Sequence, residues 1–335
     1  MKKIGVLFGM ENTFPPALVE KINSMQVAGV SAEAVKVGGV KMADPSGYAV
    51  IVDRISHDIP FYRGMLKNAA LTGTQIINNP FWWSADDKFF NYALASKLGV
   101  AVPPTVLLPH KQHPPNTTEQ SHRNLMFPLN WDEIFAYVGF PAFLKPFDGG
   151  GWKNVDKVDS PDQFFEAYDR SGDLCMTLQK GVNFKEYFRC YVVGQEHVHI
   201  MQYDPRAPFH ERYVKNAPPV DPRLLERVRK DALTLCRALG YDLNTVEFAV
   251  EDGVPYAIDF MNPAPDADMN SVGQENFDWI VNHVAELAVK KATSGDNPAS
   301  ELRWASFLKG EPKATPKKAA VKKPLAKKKV TASGR

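Results

Sequence analysis

The stretch GFPAFLKPFDGGGWKNVDKV, residues 139–158, decides how the rest of the chain is read. Pro141-Ala142-Phe143-Leu144 is a short apolar run of the buried-strand type, interrupted by Lys145 and ended by Pro146. An ammonium at the end of a buried strand is costly unless something anionic sits opposite. Asp148-Gly149-Gly150-Gly151 follows at once, a run without Cβ bulk that lets backbone N–H groups close over a ligand. A strand-end lysine followed by a flexible glycine loop suits the gripping of phosphates. Taken alone, the stretch reads equally well as a surface hairpin with a Gly-rich turn and a snorkelling lysine. It lacks the G-x-x-x-x-G-K-[ST] pattern and does not open a helix, which argues against a P-loop.

Outward from this stretch, 335 residues suit two or three subdomains. The 44% apolar and 23% charged content is that of an ordinary globular protein. No apolar run approaches the roughly 20 residues that span a bilayer. The amino-terminal MKKIGVLFGMEN is too short in its apolar part for a secretory signal and reads as a first strand. Cys175, Cys190 and Cys236 are odd in number and widely spaced, which points to buried thiols in a reducing, cytoplasmic setting. Residues 311–335 carry nine Lys/Arg and one Asp/Glu, a balance of +8; the whole chain is +2, so residues 1–310 sum to −6.

Strands are expected at 4–8, 34–37 and 48–53, and helices at 15–25 and 61–72, a β-α-β opening typical of a small parallel sheet. Ligands in such sheets bind beyond the carboxyl ends of the strands, which makes Arg54, His57 and Asp58 substrate-side candidates. A helix over 86–98 is expected to start at a Ser84 cap, to turn Phe89, Phe90, Ala93, Leu94 and Leu98 inward, and to stop at Gly99. Residues 109–123 form a polar, proline-rich loop whose His110, His113 and His122 are irregularly spaced and read as solvated rather than metal-binding. Ser160 as cap and Pro161 at the first position begin a helix to about Ser171. Residues 204–219 are irregular and basic-aromatic, with Arg206, His210, Arg212, Tyr213 and Lys215. A long helix over 222–239 closes at Gly240.

Val246-Glu247-Phe248-Ala249-Val250 and Ala257-Ile258-Asp259-Phe260 are apolar strands each broken by one carboxylate, with Asn262 shortly after. Carboxylates inside a sheet are expensive unless paired or metal-bound. A two-residue turn at Asp252-Gly253 sets Val246 opposite Asp259 and sends Glu247 to the other face. A three-residue turn with a left-handed Gly253 makes Glu247 and Asp259 diagonal neighbours on one face, and this is the expected arrangement. Two carboxylates and an amide oxygen are hard donors suited to Mg²⁺ that holds nucleotide phosphates.

Asp87-Lys88 ahead of a helix, Lys145-Pro146 with Gly149, Gly150 and Gly151, the segment Gln179-Lys180-Gly181-Val182, Glu186 beyond it, and a carboxylate hairpin ending in asparagine occur in this order. That order resembles the ATP-grasp superfamily, in particular the branch of glutathione synthetase, D-alanine–D-alanine ligase and ribosomal-protein glutamate ligases. The resemblance covers about residues 1–292, with its motifs between 86 and 265. It implies a fold that is α/β and α+β: a small amino-terminal parallel α/β domain (1–83), a central subdomain with the phosphate lysines and glycine loop (84–178), and a carboxyl-terminal subdomain with the metal hairpin (179–295). Residues 296–335 are then a linker and a disordered basic tail.

The resemblance further implies that Lys88 and Lys145 contact ATP phosphates under a loop of Gly149, Gly150 and Gly151. Gln179, Lys180, Gly181 and Val182 would line the adenine pocket, Glu186 would bind the ribose, and Glu247, Asp259 and Asn262 would hold one or two Mg²⁺. Arg189, Arg212 and Lys215 are candidates for stabilising the transferred phosphoryl group. The usual metal motif of this branch is glutamate, one residue, asparagine; here Phe260-Met261 separate Asp259 from Asn262, a gap a bulge would absorb. Asp266 and Asp268 are nearby alternatives. The implied activity is ATP- and Mg²⁺-dependent ligation of a small-molecule or peptide carboxylate to an amine or thiol through an acyl phosphate. A phosphotransferase with a hydroxyl acceptor and a non-catalytic nucleotide-binding protein with a polyanion-binding tail are the alternatives. No membrane partner is expected, and a homo-oligomer is compatible with the fold.

Overall fold

The computed structural model describes residues 1–208, 211–215 and 217–295. His210, the linker and the basic tail therefore lie outside the described residues. Along the chain run β1 (Lys2–Leu7), α1 (Phe14–Ser24), β2 (Val30–Ala34), β3 (Val50–Asp53), α2 (Pro60–Leu71), β4 (Gln75–Ile77), α3 (Pro80–Trp83) and α4 (Lys88–Lys97). Then come β5 (Thr105–Leu108), α5 (Trp131–Val138), β6 (Ala142–Pro146), β7 (Asp156–Val158), α6 (Pro161–Arg170), β8 (Met176–Lys180), β9 (Glu186–Val193) and β10 (His197–Gln202). The last elements are α7 (Pro222–Leu239), β11 (Leu243–Glu251), β12 (Val254–Asp259), α8 (Met269–Val272) and α9 (Gln274–Ser294). The strands make three four-stranded sheets, ordered β2-β1-β3-β4, β5-β8-β6-β7 and β10-β9-β11-β12.

The first sheet is parallel throughout. β3 is buried along its whole length, as expected of a parallel strand covered on both faces. Val50 and Val52 point toward α1 and α9, while Ile51 points toward Met65 and Leu66 of α2. β2 lies earlier than the 34–37 expected from hydrophobicity. Its parallel register with β1 runs from Lys2↔Val30 to Val6↔Ala34, and β1 itself ends at Leu7, so residues further on have almost no partner strand.

The second sheet is antiparallel and strictly two-faced. Ala142, Leu144, Met176 and Leu178 pack under α6 and beside α5, which leaves Phe143, Lys145 and Gln179 on the opposite face by the period-2 rule. Ser160 caps α6 as expected, accepting from Gln163 N. Helix α5 was not expected; it starts at Asn130, whose side chain accepts from Glu133 N, and it presents Trp131 and Phe135 to Phe164 and Phe165.

The third sheet is also antiparallel. One face packs on α7 through Phe188, Val246 and Phe248 against Val228, Ala232 and Leu235. The other shares a core with the first sheet, because α9 carries Ile280, Val284 and Ala288 between them. Asp221 caps α7, and Gly240 ends it in the left-handed conformation, φ +74°.

Helix α4 departs from expectation in two ways. Its cap is Asp87, which accepts from Phe90 N, while the Ser84 hydroxyl donates to Pro80 O instead. Its buried face is Lys88, Asn91, Tyr92 and Ala95, whereas Phe90 and Leu98 stay exposed. Hydrophobic periodicity misses this face because the stripe it buries contains a partnered lysine and an amphipathic tyrosine.

Candidate functional site

A cleft with about 970 Å³ of free space, its open mouth included, lies where the second sheet, the third sheet and the start of α4 meet. Lys145, Phe143 and Gln179 come from the second sheet, Glu247, Ala249 and Asp259 from the third, and Lys88 from the first turn of α4. The loop between β6 and β7 supplies Asp148, Gly149, Gly150, Gly151, Trp152 and Lys153. Gly149 and Gly151 have φ of +74° and +71°, and an added Cβ at any of the three glycines would meet nothing within 4 Å. Glycine is there for backbone conformation, not for close packing, and the loop stands open over the cleft.

The acids are assembled differently from expectation. The β11–β12 turn is the two-residue form: Glu251 pairs with Val254, and Asp252 and Gly253 both have positive φ. On its own that register would send Glu247 and Asp259 to opposite faces. A bulge at Ile258 corrects it, because Phe248 pairs with Ala257 while Glu247 pairs directly with Asp259. Glu247 also pairs with Arg189 on its other side, so Arg189, Glu247 and Asp259 form one row across three strands. Arg189 Nε stands 3.7 Å from Glu247 Oε1, and its guanidinium lies over the rings of Tyr203 and Tyr213 at 5.4 and 5.9 Å. Tyr187 donates to Glu247 Oε2 at 2.5 Å.

The two lysines are held in unlike ways. Lys88, 8% exposed, is 3.5 Å from Asp259 Oδ1. Lys145 Nζ has only neutral acceptors, Tyr92 Oη at 2.7 Å and Gln179 Oε1 at 2.8 Å. Burial, helped by the neighbouring Lys88 charge and opposed by Asp259 and Glu247, lowers the Lys145 pKa to about 7. Burial raises the pKa of Glu247, with Arg189 pulling the other way and Asp259 adding to the rise. The cleft thus brings a lysine held by two neutral acceptors together with two carboxylates on one sheet face. That donor set fits a nucleotide phosphate chain with Mg²⁺, which commonly takes one or two carboxylates and completes its shell with phosphate oxygens and water.

No family model matches the chain. Parts of it resemble pyruvate carboxylase 1 of Caenorhabditis elegans, 32% identical over 134 residues, which is 36% of this chain and 11% of that protein. Mitochondrial pyruvate carboxylase of Rattus norvegicus is 26% identical over 180 residues, 49% of this chain and 14% of that one. Biotin carboxylase 2 of Bacillus subtilis is 25% identical over 131 residues, 35% and 30% respectively. The chain therefore spans less than a third of these relatives' lengths.

Solved structures align far more completely. The VanG D-Ala:D-Ser ligase of Enterococcus faecalis matches 87% of this chain and 99% of its own, with TM-score 0.62 and 16% identity. The D-alanine–D-alanine ligase of Bacillus anthracis complexed with ATP matches 88% and 100%, with TM-score 0.58 and 18% identity. The ATP-grasp ligase PsnB, complexed with minimal precursor, Mg and ADP, matches 87% and 97%, with TM-score 0.58 and 14% identity. The chain has the ATP-grasp fold.

On this ATP-grasp fold most residues singled out from sequence converge: Lys88, Lys145, Gly149, Gly150, Gly151, Gln179, Lys180, Val182, Glu247 and Asp259 all line the cleft. Gly181 does not line it and serves packing instead, since a Cβ there would fall 2.7 Å from Pro141 O. Glu186 is exposed at the start of β9 and is not among the lining residues. Asn262 Nδ2 donates to Thr245 Oγ1 at 3.0 Å, and Asp266 and Asp268 accept from Ser271 and Thr13; none of the three lines the cleft. Arg189, Arg212 and Lys215 are all outside the lining: Arg189 reaches the cleft only through Glu247, Arg212 donates to Ala207 O, and Lys215 is exposed.

At the carboxyl end of the first sheet, Arg54 is ion-paired to Glu11 and donates to Pro265 O, and His57 lies 3.6 Å from Asp58. His113 and His122 stack at 4.9 Å between centroids, and among the described residues no group of three or more His, Cys, Asp or Glu could hold a metal. Cys190 and Cys236 are buried free thiols, as expected; Cys175 is half-buried. Sequence reading missed Tyr92, Trp152, Phe184 and Tyr187. Only their lysine and glycine neighbours carried a signal, because aromatics at element ends read as core.

Proposed function

We propose that the protein is an ATP- and Mg²⁺-dependent ligase that activates a carboxylate as an acyl phosphate and passes the acyl group to an amine or thiol. The observation that supports this most directly is the meeting, in one cleft under a glycine loop, of two lysines from separate elements with two acids paired across a β-bulge. Lys145 and Lys88 offset the charge that gathers on the γ-phosphate oxygens as a substrate carboxylate oxygen attacks phosphorus and ADP leaves. Glu247 and Asp259 would hold Mg²⁺, which would supply neutralisation of the phosphate charge. Arg189, fixed by Glu247 and two tyrosines, is placed to keep Glu247 ionised and oriented rather than to touch the phosphate. The nucleophile then attacks the acyl carbonyl and phosphate departs.

The solved neighbours include a D-Ala:D-Ser ligase and an ATP-grasp ligase complexed with its minimal precursor, and this supports a carboxylate–amine reading for the present chain. Among the described residues, no helix is long and apolar enough to cross a membrane. The test is acceptor-stimulated ADP release, screened with amino acids and peptides, followed by product analysis. ADP with an amide or thioester supports the ligase; ADP with a phosphoester makes it a phosphotransferase; nucleotide binding without turnover makes it a binding module. Lys145→Ala and Glu247→Ala should each reduce turnover by about 10³-fold without unfolding the protein. Full activity in both variants would refute the site.

A further inference from the structure

We propose that Tyr92 is a positioning residue whose single hydroxyl sets both the phosphate lysine and the metal hairpin. The inference rests on the nucleotide reading above and concerns a side chain that the ligand itself need not touch.

Tyr92 lies one turn after Lys88 on α4, so both side chains project from the same stripe of the helix. Its ring is 4% exposed and meets Phe260 edge to face at 5.7 Å. The hydroxyl, which also interacts with the Gln179 side chain, bonds to two different sheets. It donates to Ile258 O at 2.7 Å, and it accepts from Lys145 Nζ at 2.7 Å. Ile258 is the extra residue of the bulge, the feature that brings Asp259 opposite Glu247. Its carbonyl is directed at Tyr92 while the strand is locally distorted, so the hydroxyl proton is committed there. A phenol has one proton, and with that proton on Ile258 O its lone pairs face the lysine.

The consequence is directional. The chain Lys145 N–H···Oη–H···O=C Ile258 ties the tip of β6 to the bulge of β12. Lys145 has two acceptors, Tyr92 Oη and Gln179 Oε1, and neither is charged. Gln179 is itself anchored, donating from Nε2 to Thr105 Oγ1 at 2.8 Å. The charged groups that face Lys145 are Lys88 from α4 and Glu247 and Asp259 from the third sheet. Tyr92 therefore supplies one of the two hydrogen-bond acceptors that aim the Lys145 side chain into the cleft.

The test uses Tyr92→Phe in the full chain. The ring and its contact with Phe260 are retained, so a folded variant is expected, and thermal unfolding checks it. Binding of Mg²⁺ and a non-hydrolysable ATP analogue is measured by calorimetry from pH 6 to 9. Losing an acceptor of the charged form moves the Lys145 equilibrium toward the neutral amine. The weakening of affinity at alkaline pH should then begin at lower pH, by about half to one unit, and affinity at pH 7.5 should fall about tenfold. A purely structural role would lower affinity equally at every pH. Combining Tyr92→Phe with Lys145→Met gives the second readout: the pH-dependent part of the loss should vanish in the double variant, leaving only the pH-independent loss carried by the Ile258 bond to the hairpin. A parallel pH profile with additive losses overturns the proposal and leaves the nucleotide reading intact. Absence of nucleotide binding in the wild-type protein overturns both.

Discussion

Lys145 illustrates how one side chain can be costly for folding and necessary for binding. Burial and the nearby Lys88 lower its pKa from 10.5 to about 7. Between pH 7 and 10.5 the unfolded chain holds a proton that the native protein has lost, so this group makes stability rise with pH across that window. Denaturation of wild type and Lys145→Met over pH 7–10 should show that relative rise, and the variant should lack it. Binding of an anionic nucleotide restores the charge, so calorimetry at pH 8 in buffers of different ionisation enthalpy should report proton uptake approaching one per site. Lys145→Met should take up none. Trp152 offers an independent readout. It is 64% exposed, has φ +60°, and lines the cleft on the glycine loop. Nucleotide should shield it from acrylamide quenching in wild type, with the change absent in Trp152→Phe. At this scale the lysines, glycines and acids were legible because their chemistry is unusual in strands. Tyr92 was not, since a tyrosine in an amphipathic helix carries no mark of what its hydroxyl reaches.

Elements carry the next level of precision. Helix α4 is set by Asp87, and its first residue, Lys88, reaches the cleft. Asp87→Ala should cost about 1 kcal/mol by chemical denaturation and Asp87→Asn should recover most of it. Nucleotide affinity should follow the same order, since fraying of the first turn displaces Lys88. The β11–β12 hairpin shows where sequence reasoning reached a correct face by an incorrect route. Glu247 and Asp259 do share a face, but through a bulge at Ile258 rather than through a three-residue turn. Asp252-Gly253 favours the two-residue turn, and local turn preference could not reveal the irregularity five residues later. That bulge is stabilised by a bond from a helix more than 150 residues away in sequence, Tyr92 to Ile258 O.

The whole molecule depends on joints between sheets. Asn78, 2% exposed at the end of β4, donates to Leu243 O and Pro263 O and accepts from the N–H groups of Asp242 and Leu243. It thereby fixes the first sheet against the strand that carries Glu247. Asn78→Ala should destabilise the protein by about 3–5 kcal/mol, because several buried backbone groups lose their partners together. Thermal unfolding measures this loss. Saturating Mg²⁺-nucleotide, at about 100 times Kd, should return about 2.7 kcal/mol if the site survives. The sequence by itself determined the parallel opening sheet, the carboxylate hairpin, most helix boundaries and ten residues of the cleft, since periodicity, caps and misplaced charges are local properties. Only the tertiary structure decided the face of α4, the bulge that pairs the acids, and the exclusion of Glu186, Asn262, Arg212 and Lys215 from the cleft lining. Those outcomes depend on which distant groups satisfy a buried carbonyl, ammonium or amide, and hydrogen-bond partners far apart in sequence leave no local pattern to read.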